Sequence, residues 1–212
     1  LTTEGEAVLK ATQKLFAALE DFRNEVSECT NTLQGEFRIG MIDNSITNPS
    51  SPIRTALAAY STRAPEVKLN VHIGGAQDLE ERVMDGRLHV AFGYFPYRIE
   101  GLQYSALFKE RHVLCCAKGH EFYDLDDKEI TDSLISEAKF VGWGSAQQAL
   151  VELMPLPLNQ VASSQYMEGL AYLILSGRYI GYIPDHFAKK WIQEGAMRPV
   201  CPERTSFNIC LL

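Results

Sequence analysis

The amino-acid sequence predicts an α/β protein carried behind one long helix. Three observations predict it. Residues 1–34 contain no proline and a single glycine, Gly5, among many good helix formers. From Glu36 onward, short apolar or alternating runs suited to strands take turns with stretches of helical spacing. The polar loops between these elements fall into two successive blocks offering the same kind of chemistry.

The leading helix is read from its spacing. Apolar or near-apolar residues fall at Val8, Thr12, Leu15, Leu19, Phe22, Val26, Cys29 and Leu33, in alternating steps of four and three. That is an a/d seam, with Thr12 its one weak rung, and it predicts a dimerising or linker helix. A helix over 3–33 would be roughly 45 Å long at about 1.5 Å per residue. Residues 1–34 therefore form one segment, closed by Gln34-Gly35.

The first block alternates cleanly. Phe37 to Ile42 reads as a strand that enters a polar turn, Asp43 to Asn48, before Pro49 and Pro52 open a helix over 52–63. Val67 to Ile73 alternates apolar with polar and is a strand. Gly74-Gly75 then leads into a helix that turns Leu79, Val83 and Met84 inward, and Leu88 to Gly93 is the next strand. This β-α-β-α-β order implies parallel strands.

The second block is less regular. Leu102–Phe108 and His112–Ala117 read as two strands. An acidic stretch follows, with Glu121, Asp124, Asp126, Asp127, Glu129, Asp132 and Glu137 against Lys128 alone. Phe140 to Trp143 is a strand, followed by a short helix near Ala146–Leu153 that ends at Pro155 and Pro157. A strand about Gln160–Ala162, a helix over Gln165–Leu175, a strand Tyr179–Ile183, a helix His186–Gln193 and a terminal strand Ser206–Leu212 complete the chain.

Composition narrows the function. The 212 residues suit one large domain or two small ones, and 46% apolar with 22% charged is ordinary for a globular protein. Twenty bases against 27 acids give a net charge of −7, which argues against this chain itself gripping a nucleic-acid backbone. No run approaches the roughly eighteen apolar residues of a membrane span, and the acidic, amphipathic first twenty residues do not read as a signal peptide. Five cysteines without framework spacing suggest reduced thiols, and a cytoplasmic location is expected.

Ligands of an open parallel sheet sit beyond the carboxyl ends of its strands. The loops there carry Asp43, Asn44, Ser45 and Thr47, then Gly75, Ala76 and Gln77, then Tyr94. The second block adds Trp143, Gly144 and Ser145, then Ser163, Ser164 and Tyr166. Hydroxyls, amides, rings and helix starts suit a small polar or anionic molecule. No nucleophile elbow, phosphate loop or zinc-protease motif is present, so no catalytic residue, cofactor or metal is expected. Asp124 to Lys128 opens like a calcium loop, but Lys128 fills a ligand position. His112, Cys115, Cys116 and His120 lie close in sequence, yet strand alternation separates Cys115 from the rest.

Several segments, in order, resemble the LysR-type transcriptional regulators. Leu1-Thr2-Thr3-Glu4-Gly5-Glu6 is similar to the L-T-x-A-G-x that opens the family's linker helix after a winged helix-turn-helix. Gly35 to Gly40 resembles G-x-L-R-I-G, and Tyr60 through Pro65-Glu66-Val67 with Leu69 resembles the helix–proline–strand segment. Asp85 to Ala91 resembles G-x-L-D-x-A, with His89 where aspartate is common. Ala117-Lys118-Gly119-His120 resembles x-x-x-H-P, with Glu121 in place of proline. Ser176 to Pro184 resembles V-x-x-G-x-G-I-x-x-L-P.

The resemblance implies two Rossmann-like lobes joined by two crossovers, a type 2 periplasmic-binding-protein-like fold. The implied boundaries are 1–34 for the linker or dimerisation helix, 35–117 with 185–212 for the first lobe, and 118–184 for the second. It implies an effector held by Asn44, Ser45, Ala76, Gln77, Tyr94, Trp143, Ser145, Tyr166 and Ile183. It also implies a homo-oligomer, dimer or tetramer, seamed by Val8, Leu15, Leu19, Phe22, Val26 and Leu33. DNA would be reached only through an N-terminal domain that this chain lacks, the chain opening on Leu1 rather than Met. The expected partner is a small acid or aromatic metabolite, bound without turnover. The alternative is a transporter's solute-binding protein with the same fold, which would have no use for a heptad helix.

Overall fold

A computed structural model describes residues 2–28, 34–144 and 150–212, and in the first helix all side chains except those at 13, 17, 20, 21 and 23–28. The helix α1 spans Thr3–Glu28. The chain, α1 included, divides into two compact units.

Unit 1 contains the residues up to Ile42, Ser51–Ser105 and Leu212. Its sheet has the order β2-β1-β3, built from β1 (Gly35–Met41), β2 (Val67–Ile73) and β3 (Val90–Phe92), all parallel. Parallel neighbours need crossovers, and α2 (Ile53–Arg63) and α3 (Ala76–Met84) stand between the strands in sequence. Gly40 is where the packing needs a glycine: a Cβ there would meet Leu88 and Leu79 side chains at 2.6 and 2.7 Å. His89, in the place where the resemblance expects aspartate, accepts the Arg38 backbone N–H on Nδ1 at 3.0 Å. Lys10 and Lys14 of α1 pair with Asp85 at 3.5 and 3.0 Å.

Unit 2 contains Asp43–Ser50 and Ala106–Leu211. Its sheet runs β6-β5-β7-β4-β8, and β9 also pairs with β4. The strands are β4 (Phe108–Ala117), β5 (Lys139–Trp143), β6 (Asn159–Ser164), β7 (Ile180–Pro184), β8 (Met197–Pro199) and β9 (Phe207–Leu211). The pairs of β5 with β6 and β7 are parallel, whereas β4 runs antiparallel to β7, β8 and β9. The helices are α4 (Asp132–Glu137), α5 (Met167–Leu175), α6 (Asp185–Gln193) and α7 (Pro202–Thr205). Val113, Cys115, Val141, Met167, Leu170, Ile174 and Ile183 form the centre of its core. Burial drives the Cys115 and Cys116 thiols upward, Cys116 to about 12, so both are inert packing groups. Cys115, Cys116, Cys201 and Cys210 are free.

Two sequence expectations change here. The strands expected at 102–108 and 112–117 are one ten-residue strand starting at Phe108. Residues 43–50, 106–117 and 185–211, expected with the first lobe, lie in unit 2. One physical cause accounts for the single strand and the last two stretches: β4 holds ladders with β7, β8 and β9, so a chain cut near Ala117 would divide a bonded sheet. The helix expected near Ala146–Leu153 begins outside the described residues. The acidic stretch is only partly solvated surface, since Asp127 pairs with Arg198 and Asp132 with Arg204. No helix among the described residues is long and apolar enough to cross a membrane.

The turn after α5 shows why the Ser176-Gly177 pair sits there. Gly177 has φ +70, and its N–H donates to Ile174 O at 3.0 Å, closing the helix. A Cβ on it would lie 2.6 Å from the Lys118 carbonyl oxygen, and backbone cannot swing aside. Gly177→Ala is therefore expected to cost about 2–3 kcal/mol, from the left-handed conformation plus the displaced turn. Urea unfolding measures it, and a parent-like midpoint would show that the Lys118–Gly119 turn yields freely.

Candidate functional site

In unit 2, the site begins where the chain leaves β1. Asn44 adopts φ 58, a left-handed conformation that asparagine tolerates better than most residues, and starts the 3-10 turn Ser45–Thr47. Asp43 Oδ2 accepts the Met167 N–H at 2.6 Å, so this carboxylate caps the N-terminus of α5. Burial pushes the Asp43 carboxyl upward, against the pull of the backbone N–H bonds from Met167 and Glu168. The cap leaves this helix start less open to an exogenous anion than the sequence suggested. Ser45 is buried, and both polar atoms of the Asn44 amide are shut from solvent with no hydrogen-bond partner.

Behind this loop lies a buried polar network that the sequence reading missed. Glu110 Oε1 accepts from His112 Nε2 at 3.0 Å, and Oε2 accepts from His186 Nε2 at 2.8 Å and Asn48 Nδ2 at 3.1 Å. Burial alone would raise the Glu110 carboxyl. The hydrogen bonds from His112 and His186 and the Asn48 amide outweigh it and bring the group to about 2. Asn48 Oδ1 accepts the Ser50 N–H at 2.9 Å. Thr47 Oγ1 lies 2.7 Å from His186 Nδ1 and donates to Asn44 O at 3.1 Å. A hydroxyl has one proton, so both contacts are satisfied together only when His186 Nδ1 donates to Thr47.

The network continues to an aromatic wall. The His112 ring stacks on Trp143, with centroids 5.9 Å apart, and on Phe207 at 5.5 Å. Trp143 ends β5 and is half-buried. Tyr166 is exposed at the start of α5, where its N–H donates to Ser164 Oγ at 3.2 Å. Ile183, expected as a contact, is fully buried in the core and paired with Val113 in the ladder, so its side chain is committed to packing. Ser145 lies outside the described residues.

The candidates in unit 1 sit on its own loops. Ala76 and Gln77 open α3 behind Gly75, whose position carries no side-chain cap, and Gln77 Nε2 donates to Glu81 at 3.3 Å. In the same first turn Asp78 accepts from His72 and from Arg82, both at 2.7 Å. Tyr94 follows β3, next to Gly93, whose N–H and C=O are both paired with Leu212. On α1, Val8, Leu15, Leu19 and Phe22 are all at least half exposed. The Val26 side chain and Leu33 lie outside the described residues. Among the described residues there is no group of three His, Cys, Asp or Glu placed to hold a metal ion.

The chain resembles known proteins along its whole length. The family model for the LysR substrate binding domain matches residues 30–212. A curated relative, the HTH-type transcriptional activator BauR of Pseudomonas aeruginosa, is 38% identical over 211 residues, covering 100% of this chain and 69% of its own length. The HTH-type transcriptional regulator YofA of Bacillus velezensis is 28% identical over 118 residues, covering 56% of this chain and 40% of its own. Among solved structures, full-length CbnR complexed with its target DNA superposes with a TM-score of 0.65 at 13% identity, over 100% of this chain and 75% of that one. A mutant OxyR2 regulatory domain from Vibrio vulnificus gives 0.63 at 14% identity, over 85% and 86% of the two chains. At such low identity the structural likeness speaks to the fold, which is the type 2 periplasmic-binding-protein-like α/β fold.

Proposed function

This chain belongs to the LysR substrate binding domain family, the effector-binding part of LysR-type transcriptional regulators, and on that premise we propose that it senses a small metabolite through the Asn44–Ser45 loop. The observation that carries the proposal is the Asn44 amide. A buried donor and acceptor left unpaired cost about 1–3 kcal/mol each, and a ligand that supplies both partners recovers that loss. A carboxylic acid or amide group does so, and in the same unit Trp143 is half-buried and Tyr166 exposed. The effector we propose is accordingly a small acid or aromatic metabolite. Ala76, Gln77 and Tyr94 are proposed contacts on the family resemblance.

Binding shifts the protein between states by as much as the effector prefers one of them, and no bond is made or broken. DNA is reached through an N-terminal winged helix-turn-helix, the protein works in the cytoplasm, and α1 joins protomers. That the curated relatives are transcriptional regulators supports this reading over an enzyme or a transporter's solute-binding protein.

Asn44→Gly separates the site from the fold. Glycine accepts the φ of 58 without strain and removes the unpaired amide, so the free protein should be at least as stable as the parent. Effector affinity, found by a thermal-shift screen of small acids, amino acids and aromatics and then measured by titration calorimetry, should fall about tenfold or more. Unchanged affinity in the glycine variant would remove Asn44 from the site.

A further inference from the structure

Unit 2 carries a polar cleft that the effector reading does not use. Its volume is about 450 Å³, within the usual range for small-molecule sites. The floor is the buried group Asn48, Glu110 and His186, while Lys109, Arg111 and Lys189 stand at the rim. Among the described residues none of these three cations has an acidic partner, although Arg111 donates to Ser206 Oγ at 3.1 Å. Among the described residues Asp185 is the one rim carboxylate. Glu110 adds a negative charge in the floor, buried behind the rim and held by N–H donors of His112, His186 and Asn48. The start of α6 also lines the cleft, and Pro184 supplies it with no side-chain cap. The first-turn N–H groups therefore add to the positive potential.

We propose that this cleft is a separate site for a compact oxyanion carrying two negative charges, of the phosphate or short dicarboxylate class. Three rim cations against one rim acid leave two positive charges to be met. An oxyanion accepts from ammonium, guanidinium and backbone N–H donors at once, whereas a neutral polyol would leave the excess charge unanswered. Asp185 is a tuning group, since it competes with the ligand for the same helix start. The rim side chains are exposed, so changing them should leave the fold intact.

Titration calorimetry of the whole chain at fixed ionic strength tests this with inorganic phosphate, succinate, acetate and glycerol. Saturable one-to-one binding of phosphate or succinate is expected, with acetate weaker by about tenfold and glycerol silent. Whichever of the two dianions saturates at lower concentration identifies the source of the ligand. The double variant Arg111→Gln, Lys189→Gln should lose about tenfold or more, and Asp185→Asn should tighten binding several-fold. Asn44→Gly should leave the anion affinity unchanged, which separates this site from the effector loop. The proposal is overturned if neither dianion saturates, if the double variant binds like the parent, or if Asn44→Gly abolishes anion binding.

Discussion

Glu110→Gln is expected to cost the protein about 3 kcal/mol of stability at neutral pH, because one side chain satisfies three buried donors. His112 and His186 approach its two oxygens at 3.0 and 2.8 Å, and Asn48 adds a third bond at 3.1 Å. Glutamine keeps one acceptor and brings an NH₂ group, so at least one imidazole N–H would face another donor out of reach of water. For a chain of this size the loss corresponds to a melting point lower by about 6–12 °C. The acid side carries a second signature. The Glu110 carboxyl titrates at about 2 in the folded protein against 4.5 ordinarily. A depressed carboxyl contributes stability that is complete above about 4.5 and is lost as the pH falls through about 2. The parent should therefore weaken across that window more steeply than the variant, and the gap between them should narrow with acid. Urea unfolding at pH 7 and near pH 3 reads both effects. A variant within about 0.5 kcal/mol of the parent at neutral pH would mean that the triad is not the keystone of unit 2.

How far the sequence showed this site depends on the range over which its contacts act. The alternation of Val67, Leu69, Val71 and Ile73 is local, and β2 was readable from it. The polar turn Asp43 to Asn48 and the helix over 165–175 were likewise readable from local residue patterns. Glu110 was hidden by its neighbours: Lys109-Glu110-Arg111 looks like a break between strands, whereas in β4 its two flanking bases point outward and Glu110 turns in beside His112. The spacing Glu110-x-His112 was the available signal, since residues two apart share a strand face. His186 could not be matched to Glu110 across 76 positions, nor Asp43 to Met167 across 124, because only the folded sheet brings those segments together. Ile183 shows the converse. It lies in β7, and its apolar side chain, on a strand paired on both edges, is packed in the core. The unit boundaries escaped for a related reason, since strand pairing decides them and motifs do not record it.

Leu19→Glu combined with Phe22→Glu is expected to convert an oligomer into a monomer. At about 100° per residue, Val8, Leu15, Leu19 and Phe22 lie along one stripe of α1, and all are at least half exposed. Lys10 and Lys14 sit roughly 140° round the helix from that stripe. They turn to Asp85 of unit 1 at 3.5 and 3.0 Å, which leaves the apolar stripe facing away from the chain's own sheet. An apolar seam with no use inside the protomer is what a second copy would bury. Each leucine or phenylalanine so buried contributes about 1.5–3 kcal/mol. A symmetric dimer loses four such side chains in the double variant, about 6 kcal/mol at the low end, which weakens association by more than about 10⁴-fold. The lysine–aspartate pairs lie on the other face and stay intact, so unit 1 should keep its fold by circular dichroism. Analytical ultracentrifugation should then show the parent as a dimer or higher oligomer and the variant as a monomer at the same concentration. A parent that sediments as a monomer at about 100 μM would remove the seam from the assembly, because burial on this scale predicts association well below that concentration.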